Sequence, residues 1–177
     1  MTKLFHFILT FNTVSILFAS LLYAANGEAT PLPHQPSVEN RVEVDKSRRR
    51  MYVFINNVVV AEYKVALGGS PKGHKREEGD QKTPEGWYTL DYIKSNSSFY
   101  KSMHISYPNK KDRLLAEARG VDPGGMVMVH GQKQWHPDFA PIAQQFDWTD
   151  GCIAITNKEM EQFLNLVKVG TPIHIYW

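Results

Sequence analysis

The chain has 177 residues, 42% of them hydrophobic and 21% charged, with a formal net charge of +2. That length and apolar content support one buried core and exclude a disordered polymer, while so small a charge is no basis for expecting a nucleic-acid partner. A single cysteine, Cys152, excludes an intrachain disulfide framework.

Lys3 precedes "LFHFILTFNTVSILFASLLYAA", an apolar stretch that gives way to the polar, proline-rich "NGEATPLPHQPS". The pattern reads as a signal peptide or an N-terminal membrane anchor over residues 1–25, a linker over 26–40 and a folded domain over 41–177. Cleavage at Ala25 puts Tyr23 where a small residue is preferred, and Gly27 with Ala29 offers a later small-x-small alternative. Either form of leader predicts export, to the periplasm or cell envelope.

The domain opens on alternating "RVEVD" and on two strands in "RMYVFINNVVVAEYKVALGG", with Asn56-Asn57 at the hairpin tip, a pair that tolerates left-handed backbone. The basic run Lys46 to Arg50 reads as a solvated strand edge. "SPKGHKREEGDQKTPEG" is dense in glycine, proline and charge and predicts an exposed loop leading into the strand "WYTLDYIK". "SMHISYP" predicts a further strand and "KDRLLAEARG" a helix ended by Gly120. "MVMVHG" is a short apolar run that carries His130 to its end, where Gly131 breaks the pattern. After the cysteine, "IAI" continues as a strand. Thr156 and Glu159 then have capping-box spacing, and Met160, Phe163, Leu164 and Val167 recur at helical intervals up to Gly170. "TPIHIYW" alternates again. Mostly β structure with two helices is the expected composition.

An exported protein ordinarily pairs its cysteines, so an unpaired Cys152 is either buried and inert or present for its reactivity. A cysteine nucleophile needs a base or cation beside it and amide donors aimed at the oxyanion it creates. Asp150-Gly151-Cys152 is a compact turn whose amides can point into one pocket. Histidine is the natural base. His6 falls in the leader, His34 in the linker and His74 in a polar loop. His104 and His174 lie within strands, and His136 precedes a proline. His130, at a strand end before glycine, is the best placed.

"VHG" at residues 129–131, followed by "TDGCIAITN" at residues 149–157, resembles the active-site signature of the YkuD-type L,D-transpeptidases, which reads His-Gly, a spacer, then Ser/Thr-x-Gly-Cys. "VDKSRRRMYVF", "YKVALGGSPKGHKREEGDQKTPEGWYTL" and "SYPNKKD" extend the resemblance over residues 42–177. It implies a mainly β, sandwich-like catalytic fold with one or two short helices, acting on peptidoglycan stem peptides without a cofactor. Cys152 is then the nucleophile that attacks the carbonyl of the third stem residue, expels D-alanine and leaves a thioester. An amine acceptor, from a second stem or a protein side chain, resolves that thioester. His130 is the general base, the Gly131 carbonyl orients its ring, and Thr149, Asp150 and Gly151 shape the oxyanion pocket.

Two positions depart from the family pattern. Asp150 stands where histidine often precedes Gly-Cys, and Ala154 stands where many members have arginine. A carboxylate beside the thiol opposes thiolate formation unless it faces away or is paired. Substrate carboxylates then fall to other cations, with Lys133, Arg113 and Lys101 as candidates, and Tyr107 either lines the pocket or packs the core.

Other readings stay open on the residues. Water in place of an amine makes the enzyme an L,D-carboxypeptidase or amidase. A zinc shell of Cys152, His130, Asp150 and His136 lacks any H-E-x-x-H or C-x-x-C spacing. A wall-binding module with an inert Cys152 turns "WHPDFAPIAQQFDW" into a recognition loop, whereas in an enzyme it roofs the thiol.

Overall fold

The computed structural model describes residues 39–133 and 140–177. The predicted leader and nearly all of the linker, with His6, His34 and His136, lie outside the described residues, as does most of the first half of the predicted roof.

Eight strands form one sheet, in the order β3-β2-β1-β8-β4-β5-β6-β7. They are β1 (Arg41–Asp45), β2 (Arg50–Ile55), β3 (Val58–Lys64), β4 (Gly86–Ser97), β5 (Tyr100–Ile105), β6 (Met128–His130), β7 (Ile153–Ala154) and β8 (Thr171–Tyr176). β1 with β8, and β6 with β7, are parallel; the other pairs are antiparallel. The Asn56-Asn57 tip has φ of 51° and 62°, the left-handed pair that a two-residue hairpin turn requires.

Alternation puts Val42 and Val44, Met51 and Val53, Met103 and Ile105, and Ile173 and Ile175 on one face, where they form a continuous core. The sheet curls around that core until its ends meet. Just past β3, Ala66 bridges Ala154 and Gly68 bridges Thr149, so the last strand of the order is bonded to the continuation of the first. The sandwich-like expectation is thus realised as a single curled sheet.

Three helices are described: α1 (Lys110–Glu117), the single-turn α2 (Ala140–Ala143) and α3 (Asn157–Leu166). The capping box of Thr156 and Glu159 starts α3, which buries Met160 and Phe163 against the core. A second box, Asn109 with Asp112, starts α1; the spacing N-K-K-D held that signal, and it was not among the expected features. α2 is additional to the two helices expected.

Two expectations need correction. Lys46, assigned to a solvated strand edge, is 0% exposed, and its ammonium donates to Gly73 O at 2.7 Å, Thr83 O at 2.9 Å and Glu85 Oε1 at 2.9 Å. Three acceptors offset the desolvation that pushes its pKa down. The predicted exposed loop over residues 70–86 is consequently tied to the domain, with Lys75 and Thr83 buried. Composition marks a loop but does not record what the loop packs against.

Candidate active site

β6 and β7 pair in parallel with Val129 opposite Ile153 and His130 opposite Ala154. Val129 and Ile153 belong to the core, so His130 and Ala154 point to the outer face. Cys152 immediately precedes β7, two residues before Ala154, and so lies one step along from His130 across the paired strands. The structure thereby brings together the two residues singled out in the sequence.

His130 is 2% exposed. Phe99 covers its ring at 4.5 Å between centroids and Trp148 meets it edge-on at 5.7 Å. Its Nδ1 lies 2.5 Å from Gly131 O. A carbonyl only accepts, so Nδ1 carries the proton and Nε2 keeps a lone pair in the neutral ring. Burial pushes the imidazole pKa down, and the Gly131 carbonyl partly opposes that shift. Gly131 is held in turn by its own amide, which donates to Lys101 O at 3.1 Å, while a Cβ there would collide with Asn157 Oδ1. Asn157 also accepts from the Gln132 amide at 2.7 Å. The start of α3 thus clamps the end of the histidine strand, a role that sequence reasoning missed.

Cys152 is half-buried. Its thiol is 3.7 Å from Met126 O. Burial raises the thiol pKa, the Met128 amide counters by donating to the sulfur, the Asp150 charge raises it further, and Lys75 lowers it. Burial therefore disfavours the charged form of both groups. Asp150 is exposed in the turn, and its carboxylate opposes thiolate as its position suggested. Lys75 was not foreseen. It is 4% exposed, bonded to Glu77 O and Asp80 Oδ1 at 2.9 Å each, and it came from the segment read as exposed loop.

Thr149 staples the turn: its hydroxyl donates to Cys152 O at 2.7 Å and accepts from the Gly151 amide at 3.2 Å. This corrects the expectation that the Gly151 amide faces the pocket, because that N–H is already spent within the turn. Gly151 has φ of 123°, in the region that favours glycine. Arg49, from the basic run, grips the approach to this turn through Asp147, with Nη2 to Oδ2 at 2.7 Å, and Asp147 also accepts from the Leu67 amide at 3.0 Å.

Tyr107 does not line the pocket. It is 2% exposed, packs edge-on against Tyr88 and His74, and its hydroxyl donates to Pro123 O at 3.0 Å. Among the candidate cations, Lys101 is paired with Glu161 at 2.6 Å and Arg113 is exposed on α1. Lys133 stands 5.3 Å over the Phe99 ring, which itself covers His130. His104 is engaged with Asp91 at 2.7 Å. The zinc reading needs His136, outside the described residues; among the described residues no three potential ligands gather.

The curled sheet, with Cys152 just before β7 and His130 at the end of β6, can be set beside known proteins. The model of the L,D-transpeptidase catalytic domain (YkuD) matches residues 39–175, and the chain belongs to that family. YafK of Escherichia coli (strain K12) is 27% identical over 132 residues, covering 71% of this chain and 46% of YafK. YqjB of Bacillus subtilis (strain 168) is 26% identical over 150 residues, covering 82% of this chain and 73% of YqjB. The chain thus spans about half the length of YafK. Among solved structures, the helical cell shape determining protein Pgp2 of Campylobacter jejuni superimposes with a TM-score of 0.57 at 24% identity, over 77% of this chain and 46% of that one. The L,D-transpeptidase of Enterococcus faecium gives 0.51 at 16% identity, over 78% and 50%. These likenesses establish the shared fold.

Proposed function

We propose that this protein is a cysteine-dependent peptidoglycan L,D-transpeptidase of the cell envelope. The observation that carries the reading is the β6–β7 register, which sets Cys152 beside a histidine whose Nδ1 is tied to the Gly131 carbonyl. Nε2 is then the only ring atom able to take the thiol proton.

His130 Nε2 removes that proton as the sulfur attacks the carbonyl of the third stem residue. The oxygen of the tetrahedral intermediate becomes anionic beside the Cys152 amide, the donor left once the Gly151 amide is committed to Thr149. Collapse breaks the bond to the terminal D-alanine, whose nitrogen takes the proton from His130, and a thioester remains on Cys152. An acceptor amine attacks the thioester and gives its proton to His130. The sulfur leaves and is reprotonated, and the amide product departs. The leader read from residues 1–25 supports export.

The deciding experiment incubates the chain with stem tetrapeptides and an amine acceptor and weighs the products. Loss of D-alanine with acceptor gained is the expected result. Loss without acceptor assigns hydrolysis, and no loss leaves a non-catalytic wall module.

A further inference from the structure

β4 and β8 pair so that Trp87 lies directly opposite His174. Their rings stack with centroids 4.5 Å apart and planes 8° from parallel. Tyr176, two residues along β8 and so on the same face, continues the row with its ring 5.1 Å from His174. The alternate residues Tyr88, Ile173 and Ile175 point into the core, which leaves this aromatic row on the outer face. Trp87 is 41% exposed and the neighbouring Trp177 47%.

A single exposed indole is ordinary, but several rings that border one cleft form a contiguous patch that marks an interaction site. The cleft has a volume of about 550 Å³, and Glu85, Asn109 and Lys111 join the rings around it. Among the described residues, the Trp87 indole N–H, the His174 ring nitrogens, the Tyr176 hydroxyl and the Lys111 ammonium take no hydrogen-bond partner.

Three kinds of occupant can be separated on these facts. A peptide added as a strand needs a free sheet edge, yet β4 lies between β8 and β5, and β8 between β1 and β4. An anionic membrane surface needs a basic rim, whereas Glu43 faces His174 across the β1–β8 pair and Glu85 and Asp112 line the cleft. A pyranose ring meets both demands: its C–H face matches a flat exposed indole, and its rim hydroxyls match unpartnered donors and acceptors.

We infer that this cleft binds a saccharide strand, with a sugar ring stacked on the face of Trp87 that His174 leaves open. The row lies on the outer face of the sheet, and β4 is two strands from β6; the register sets Lys94 level with Ser102 and His130, so the row stands seven residues along β4 from the histidine, roughly 20 Å. The kind of sugar, a β-1,4-linked N-acetylhexosamine, rests on the proposed peptidoglycan substrate, whose stems hang from such a polymer.

The test titrates the full-length chain with the hexamer of β-1,4-linked N-acetylglucosamine by calorimetry. The probe carries no stem peptide, so the result is independent of the thiol chemistry: D-alanine release judges the catalytic reading and hexamer binding judges this one. Binding is expected at millimolar concentration or tighter, with Trp87→Ala weakening it about tenfold. If Trp87→Ala melts below the assay temperature, Lys111→Ala and Trp87→Phe, which leave the sheet packing in place, are each expected to weaken binding. No binding by the unaltered chain, or affinity unchanged in the folded variants, overturns the proposal.

Discussion

A Cβ placed on Gly151 would lie 2.5 Å from the carbonyl oxygen of Lys82. The turn that presents the thiol is therefore moulded against the segment running from Gly73 to Glu85, and Gly151 also adopts a φ of 123°. Alanine at this position faces both a steric and a conformational penalty. Gly151→Ala is expected to destabilise the domain by about 3 kcal/mol and to abolish acyl transfer. Gly79→Ala is the control: its φ is 79° but a Cβ meets nothing within 4 Å, so a loss of only about 1 kcal/mol is expected. Urea titration of both variants checks the difference.

Cys152→Ala exchanges one small side chain for another at a half-buried position. The expected outcome is complete loss of D-alanine release with stability kept within about 1 kcal/mol. Product mass and a thermal melt read the two effects separately. An unfolded variant would assign the residue a structural role.

The pH dependence follows from the directions of the two shifts. Burial lowers the His130 pKa below its ordinary value, so the neutral base survives to lower pH and the acid limb of kcat/KM is expected below about 6.5. Burial raises the Cys152 thiol, so iodoacetamide labelling of the free protein is expected to rise only above the usual thiol range. Asp150 adds to that rise, and Asp150→Asn should move the labelling midpoint to lower pH. A midpoint that stays put would show that the carboxylate does not act on the sulfur.

Lys46 holds the segment over residues 73–85 through two carbonyls and Glu85, and that segment backs the Gly151 turn. Lys46→Met removes the buried cation and leaves its acceptors unpaired, at an expected cost of about 3 kcal/mol. Transfer should slow even where the variant is fully folded. Denaturant melts paired with product assays at low temperature distinguish lost folding from a displaced turn.

Features that depend on near neighbours in the chain were legible before any coordinates. Asn56-Asn57 announced its hairpin because both residues accept left-handed backbone, and Thr156 with Glu159 announced α3 because a capping box closes within one helical turn. His130 before Gly131 and Cys152 after Gly151 stood out because glycine beside a reactive side chain frees the backbone to present it. The α1 box of Asn109 and Asp112 is equally local.

What the tertiary structure alone decided is the long-range part: that β6 and β7 align in parallel, that Lys46 and Arg49 turn inward to grip segments far along the chain, that Lys75 approaches the thiol, and that Tyr107 belongs to the core. The reason is physical. A backbone propensity or a cap is set by residues a few positions apart, whereas burial, a charge acting on a sulfur and the register of two strands depend on which distant segments the collapsing core brings into contact. Amino-acid order therefore singled out Cys152 and His130, and the curled sheet supplied the paired strands that carry them.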